Sequence, residues 1–398
     1  MSKKTTHILT IGLVLSSVPQ YSETFFRNKI KGLQKKGFRV VLFVDYYEPE
    51  DSTFDCEIVA SPHFGGSFFK RLFYSFIVIL KAVFFSPKCS FRLFKLNRVD
   101  GISLKANLKQ LVLNQFFFSQ DLDWLHFGFG MLAVGRENVA TAMQANMAVS
   151  FRGYDLYLSP LKHPGCFNIL FTKAVRYHVL SEEMKLTLTE YQISPSSIYV
   201  ITPAIDTQFF NSNNHVTKSS IVQLITIGRL HWKKGFEYTL QALAYLKQNG
   251  IGFHYTIIGD GDEKERLIFA AHQLGILDNI TFAGKLPQKE VKAKLEKAAI
   301  YIQYSIQEGF CNAVLEAQAM GLLCVVSDAE GLQENVLHAE TGWVVTKRQP
   351  KLLANQLISV IKLSEKEKTA IQEHAIIRVR NHFNLNKQQT AFQSFYKL

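Results

Sequence analysis

Two glutamates around one glycine turn carry the most distinctive chemistry in this chain. The run from Ser305 to Gly321 reads SIQEGFCNAVLEAQAMG, with Glu308 on the turn and Glu316 about two turns into the helix that follows. A short apolar strand, Ala299-Ile300-Tyr301-Ile302, precedes it. From about Asn312 the apolar residues Ala313, Val314, Ala317 and Met320 recur at helical spacing, and Gly321 stands where a helix C-terminal glycine belongs. Leu322 to Ser327 reads as another buried strand. A strand that passes through a glycine turn into a helix start makes an anion site. The first backbone N–H groups lack partners inside the helix, and the dipole favours negative charge. Gly309 lets a bound group approach the backbone closely. A carboxylate beside a phosphate would repel it, so both glutamates are expected to accept hydrogen bonds from hydroxyls. A ligand with phosphates in the middle and polyols at both ends fits, and a sugar nucleotide is one. An ordinary crossover with solvated acids is the bland alternative.

Glu308-Gly309-Phe310 followed by Glu316 resembles the E-x7-E motif of the retaining glycosyltransferases of family 4. That family has the GT-B fold, an α/β architecture of two Rossmann-like doubly wound domains facing across a cleft. Gly228-Arg229-Leu230-His231-Trp232-Lys233-Lys234-Gly235 resembles its G-R-L-x-x-x-K-G. Arg229 and Lys234, on a glycine-flanked turn, can both reach one diphosphate and would offset the charge that builds on a departing nucleotide. The resemblance implies the remaining donor-binding residues. The N–H groups of Phe310, Cys311 and Asn312 would help hold the diphosphate, Glu316 the ribose, and Glu308 the sugar hydroxyls close to the reacting carbon. Gly228, Gly259 and Gly309 would line the turns. Gly284, Lys285 and Leu286, with Val291 nearby, would line the base. Asp260-Gly261-Asp262 fits a D-x-D metal pattern, but the family resembled keeps G-D-G here without a catalytic metal. No metal and no other cofactor is therefore expected.

The first half resembles the family more loosely. Asp121 to Gly128 resembles its strand-plus-histidine, which makes His126 a candidate catalytic group beside Glu308, Arg229 and Lys234. A strand's C-terminal end is where such sheets bind ligands. Ser150-Phe151-Arg152-Gly153-Tyr154-Asp155 carries Arg152 where relatives often have a histidine, so a proton-transfer role does not carry over. Ser22-Glu23-Thr24-Phe25 resembles the S-E-T-F of a branch linked to exopolysaccharide synthesis. The loop before it has serines and a proline where many relatives have glycines. Ser17 and Tyr21 in that loop, and Arg152, are the acceptor-side candidates.

The elements that must position these residues follow the chain in order. Thr6–Leu15 reads as a first strand, Ser22 to Gly37 as a capped helix and Phe38–Val44 as a second strand, the opening of a doubly wound sheet. Lys3-Lys4 followed by Ile8–Leu15 also resembles a short signal peptide, but the loop and helix that follow favour the strand. Ala204-Ile205-Asp206 to Phe210 resembles the linker closing the family's first domain, and Asn211–Ser220 is polar and aperiodic. This places an acceptor-binding domain over 1–210 and a donor-binding domain over 218–380. The last helix, about 381–398, is expected to return to the first domain.

At 398 residues and 47% apolar, the chain has enough material for two cores. Five scattered cysteines without C-x-x-C spacing suit a reducing compartment rather than a disulfide framework or structural zinc. Cys311, inside the key turn, is either reactive or a small residue packed beside the helix start. The net charge of +12 is concentrated between His63 and Ser119. There Lys70, Arg71, Lys81, Lys88, Arg92, Lys95, Arg98, Lys105 and Lys109 face a single acid, Asp100, among many phenylalanines and leucines. Phe68–Phe85 is almost long enough to span a membrane, but Lys70, Arg71 and Lys81 interrupt it. It reads as an amphipathic helix on an anionic membrane or at the acceptor cleft, or as a core helix with solvated lysines. Its aromatics lack the spacing of a base-stacking platform, which argues against nucleic acid.

The whole reading is a retaining, metal-independent glycosyltransferase. It would use a nucleotide-sugar donor, UDP-sugar favoured, and a glycan or lipid-linked acceptor of capsule, exopolysaccharide or lipopolysaccharide. It would be cytoplasmic and peripheral on the inner face of the cytoplasmic membrane. Two other classes remain: a sugar-nucleotide epimerase or phosphorylase of GT-B shape, and a non-catalytic basic protein binding membrane or nucleic acid.

Overall fold

A computed structural model describes residues 8–19, 24–47, 55–62, 73, 77–78, 80, 84–211 and 221–397. Tyr21, Ser22 and most of the 68–85 stretch lie outside the described residues, as does most of the 211–220 linker. The chain forms two compact units, Met1–Ile201 with Gln389–Leu398, and Thr202–Gln388. Each is built on one parallel sheet.

The first sheet comprises β1 (Thr10–Ser17), β2 (Arg39–Tyr46), β3 (Glu57–Ala60), β4 (Trp124–Phe127), β5 (Asn146–Ser150), β6 (Val175–Val179) and β7 (Ile198–Val200), in the order β3-β2-β1-β4-β5-β6-β7. The second comprises β8 (Val222–Ile227), β9 (Phe253–Ile258), β10 (Ile280–Gly284), β11 (Ile300–Gln303), β12 (Leu323–Ser327) and β13 (Trp343–Val345), in the order β10-β9-β8-β11-β12-β13. β1, β2 and β12 are mostly apolar, continuously buried runs rather than alternating patterns. β2, for example, buries Val40 to Val44 without a break. A parallel sheet covered on both faces by helices requires this.

Both orders reverse direction once, between β1 and β4 and between β8 and β11. In such sheets ligands bind beyond the carboxyl ends of the strands at that reversal. In the second unit the loops leaving this point are Gly228–Gly235, after β8, and Tyr304–Cys311, after β11. A buried core of Leu240, Leu243, Tyr255, Ile257, Ile302 and Val325, among others, holds β8 and β11 in register beneath them. The last helix, Leu385–Tyr396, places Phe392, Phe395 and Tyr396 in the core of the first unit.

Candidate functional site

Glycine geometry knits the loops of the second unit together. Gly259 has φ +141°, and a Cβ there would lie 2.0 Å from the Gly228 carbonyl oxygen. The neighbouring backbones can approach only because that atom is missing. Gly228 N–H donates to Ile258 O at 2.9 Å, Leu230 N–H to Asp260 O at 3.0 Å and Gly259 N–H to Gly284 O at 2.8 Å. The β8, β9 and β10 loops are therefore one surface, and Gly228, Gly259 and Gly284 come together. Lys285 is exposed and Leu286 half-buried beside Gly284, while Val291 is buried on the helix Gln288–Leu295.

Lys234 is aimed by a similar device. Gly235 (φ +64°) starts the helix Phe236–Gln248 where a Cβ would lie 2.1 Å from Tyr304 O. Ile306 N–H donates to Lys233 O at 2.7 Å. The β8 loop is thus laid along the end of β11, and the Lys234 ammonium forms a tight ion pair with the Glu308 carboxylate. Their side chains are only 13% and 12% exposed. Desolvation acts to lower the Lys234 pKa, but the Glu308 charge and hydrogen bond outweigh it, and the net shift is upward. Ser305 Oγ donates to Glu308 Oε2 at 3.3 Å. Arg229, by contrast, is exposed and has no ion pair among the described residues.

The Glu308 turn is gripped from the loop after β12. Glu308 N–H donates to Glu330 Oε2 at 2.9 Å, and Gly331 N–H donates to Glu308 O at 3.0 Å. Cys311 N–H donates to Asn335 Oδ1 at 2.9 Å, and Asn335 Nδ2 returns a bond to Cys311 O at 3.1 Å. This corrects one expectation: the Cys311 amide is already bonded to Asn335. The amides of Phe310 and Asn312 have no hydrogen-bond partner among the described residues. Burial pushes the Cys311 thiol up to about 12 despite Lys234. It stays protonated at neutral pH, which makes it the small packed residue rather than a reactive one. Glu316 lies half-buried on the helix Asn312–Ala319, its carboxylate with no hydrogen bond or ion pair among the described residues. Desolvation raises its carboxyl to about 8. Among the described residues, Asp260 and Asp262 included, no three His, Cys, Asp or Glu gather as a metal-ligand set.

His126 stands at the end of β4, as the sequence suggested, but its side chain points into the interior. It is fully buried in β4, with Nδ1 bonded to the Tyr396 hydroxyl and Nε2 2.7 Å from Ser150 Oγ. Ser150 Oγ continues to His178 Nδ1 at 2.7 Å, and His178 Nε2 lies 3.0 Å from Ile201 O. Lys29 Nζ, also buried, is 3.4 Å from both His126 nitrogens and 4.2 Å from the Phe392 ring centroid. This is an internal hydrogen-bond chain tying the last helix to the sheet, with no face open to a ligand. Ser17 is half-buried at the end of β1. Arg152 Nε donates to Gly128 O at 3.2 Å, and its guanidinium packs over Phe25 and Phe26 at 4.2 and 4.6 Å.

Sequence reasoning missed Glu330, Gly331, Asn335 and Ser305. Only Ser305 lies close to a recognised motif. The others hold the turn from about twenty residues away, where no periodicity announces them.

Two doubly wound parallel units, the second with a lysine–glutamate pair and a helix start at its strand reversal, have the architecture of the GT-B fold class. Residues 207–376 match the family model described as "Glycosyl transferases group 1". It is 26% identical over 300 residues to the amylovoran biosynthesis glycosyltransferase AmsK of Erwinia amylovora, covering 73% of this chain and 74% of that one. It is 25% identical over 275 residues to the putative colanic acid biosynthesis glycosyltransferase WcaL of Escherichia coli K12, covering 67% and 68%. Among solved structures, Anabaena HepE in complex with UDP and glucose superposes with a TM-score of 0.71 at 14% identity, over 97% of this chain and 99% of that chain. This last likeness concerns the fold.

Proposed function

We propose that this glycosyltransferase moves a sugar, with retention, from a UDP-sugar to a lipid-linked glycan during exopolysaccharide assembly, without a metal ion. The observation that carries the donor assignment is the buried Lys234–Glu308 pair beside exposed Arg229 at the β8/β11 reversal. Arg229 meets the diphosphate first. The diphosphate then shares Lys234, and Glu308 turns to the sugar hydroxyls. The amides of Phe310 and Asn312 complete the phosphate contacts, and Glu316 accepts from the ribose. Arg229 and Lys234 stabilise the leaving diphosphate as the acceptor attacks from the same face, and that diphosphate takes the acceptor's proton. No carboxylate acts as nucleophile, unlike the paired acids of glycosidases.

The names of AmsK and WcaL support exopolysaccharide as the acceptor's class, and the UDP complexes of HepE support the base. Residues 1–210 are assigned to the acceptor. A basic, apolar surface segment supports work at the inner surface of the cytoplasmic membrane. Phe84, Phe85 and Phe91 are exposed near Lys88 and Lys95, while the nearby acid Asp100 is paired with Lys173. No described helix is long and apolar enough to cross a membrane.

The test is transfer of labelled sugar from a panel of nucleotide sugars to lipid-linked oligosaccharide, with chelator present and with anionic vesicles supplied. Transfer from one UDP-sugar with the anomeric configuration kept is the expected result. Inversion, or a strict need for manganese, would overturn the mechanism. No transfer, with the nucleotide sugar instead epimerised or phosphorolysed, would overturn the activity.

A further inference from the structure

The ion pair of the candidate site does not end at Glu308. Lys234, Glu308, Glu330 and Lys347 form a row of charged side chains, two carboxylates between two ammoniums, across the loops that follow β8, β11, β12 and β13. Lys234 pairs with Glu308, Glu330 Oε2 accepts from the Glu308 N–H at 2.9 Å, and Lys347 Nζ lies 3.2 Å from Glu330 Oε1. Lys347 is itself fixed, because its N–H donates to Asp328 Oδ1 at 2.8 Å. The other side of the turn is held by Gly331. Its N–H donates to Glu308 O, and a Cβ on it would lie 1.8 Å from Gly309 O. Glu330 and Gly331 therefore grip the Glu308 backbone at both its N–H and its C=O.

We propose that Glu330 is a positioning residue that fixes the Glu308 backbone, so that only the Glu308 side chain moves between Lys234 and the donor. The inference rests on the nucleotide-sugar reading and adds a residue to it. Two physical features support a carboxylate here. An ionised acceptor makes a stronger bond to an amide N–H than a neutral one. Lys347 neutralises Glu330, so its charge does not push Glu308 away. The grip is confined to the Glu308 peptide, because Cys311 is held separately by Asn335.

The test uses the full chain with Glu330→Ala and Glu330→Gln, and reads two quantities. The first is amide hydrogen exchange at Glu308, which needs no donor. It should speed up at least about tenfold in Glu330→Ala, stay near the parent rate in Glu330→Gln, whose amide oxygen still accepts, and leave the Cys311 amide unchanged in both. The second is donor turnover. Displacing a contact group by about an ångström costs up to the order of a hundredfold. Glu330→Ala should therefore lower kcat about ten- to a hundredfold while UDP binds within about twofold of the parent, since Arg229 and Lys234 remain. Glu330→Gln should recover most of that loss. Unchanged Glu308 exchange in Glu330→Ala would overturn the grip. Unchanged kcat, or a kcat that falls only in step with UDP affinity and overall stability, would overturn the positioning role. A parent protein that binds no UDP while showing the exchange pattern would instead sink the donor reading and leave the grip standing.

Discussion

Removing both charges of the Lys234–Glu308 pair should cost no more than removing either one alone. The pair is almost fully out of water. With an effective dielectric of about 20 and charges about 3 Å apart, Coulomb's law gives roughly 5 kcal/mol of attraction. Much of that is offset by the desolvation of two ions. A buried pair taken as a whole is therefore near neutral for stability, but one stripped of a partner loses about 3–5 kcal/mol. In Lys234→Met the Glu308 carboxylate keeps Ser305 Oγ at 3.3 Å, so the lower figure applies. We expect about 3 kcal/mol for Lys234→Met, a similar loss for Glu308→Gln and no more than about 3 kcal/mol for the double variant. The implied coupling is about 3 kcal/mol, at the upper end for contacting residues. Urea denaturation would read it, following Trp232 and Trp343 of the second unit while Trp124 reports on the first. Each single variant should lower the second unit's midpoint by about 1–2 M. Single losses that simply add in the double variant would refute the coupling, and with it the view that the two side chains form one device. Lys234→Met should also lower turnover at least about a hundredfold, because it removes a cation from the leaving group.

Other outcomes follow from the same geometry. Glu316, raised to about 8, is mostly protonated at pH 7, whereas ribose hydroxyls favour its ionised form. UDP binding at pH 7 should release just under about one proton and tighten from pH 6 to 8. Calorimetry in buffers of different ionisation heat would show this, and Glu316→Gln should abolish the release. In the first unit, Lys29, His126 and His178 are all shifted downward. Desolvation is the largest cause for each, followed by Arg152 for Lys29 and by Lys29 for both histidines. Tyr396, Ser150 and the Ile201 carbonyl also contact the cluster, and no acid among the described residues faces it. The unfolded chain then binds more protons than the folded one, so stability falls as pH falls. Lys29 acts below its ordinary value near 10.5, and the histidines add their part below about 6.5. Urea midpoints from pH 9 to 5.5 should decline for the first unit, and Lys29→Met should flatten the slope. Gly331→Ala would drive a methyl into Gly309 O and should destabilise the second unit by about 1–3 kcal/mol, read by the same denaturation.

The strand–turn–helix around Glu308 was legible because its signals are local. Glu308, Gly309 and Glu316 lie within one strand–turn–helix, and Arg229 and Lys234 within one loop, so spacing alone places them on common surfaces. The β8 and β11 strands could be read for the same reason, as apolar runs bounded by glycine turns. The function of His126 was not legible. A histidine at a strand end looks alike whether it faces a ligand or a core. What decides it here are Lys29, Ser150, His178 and Tyr396, brought together from the helix after β1, from two other strands and from the chain's last helix. The amide of Cys311 escaped for a related reason. A helix start leaves free N–H groups, but Asn335, 24 positions on, takes one of them. Glu330 sits in a turn whose sequence shows only that the chain bends.

In the proposed mechanism the second unit holds a nucleotide diphosphate through Arg229 and Lys234. The most direct measurement is calorimetric titration of UDP, in chelator, into the parent protein, Arg229→Ala and Lys234→Met. The parent should bind without metal, and each variant should bind at least about tenfold more weakly, consistent with the loss of a charge-assisted contact of about 1.5–3 kcal/mol. Equal binding by all three proteins, or binding that appears only when manganese is added, would contradict this mechanism.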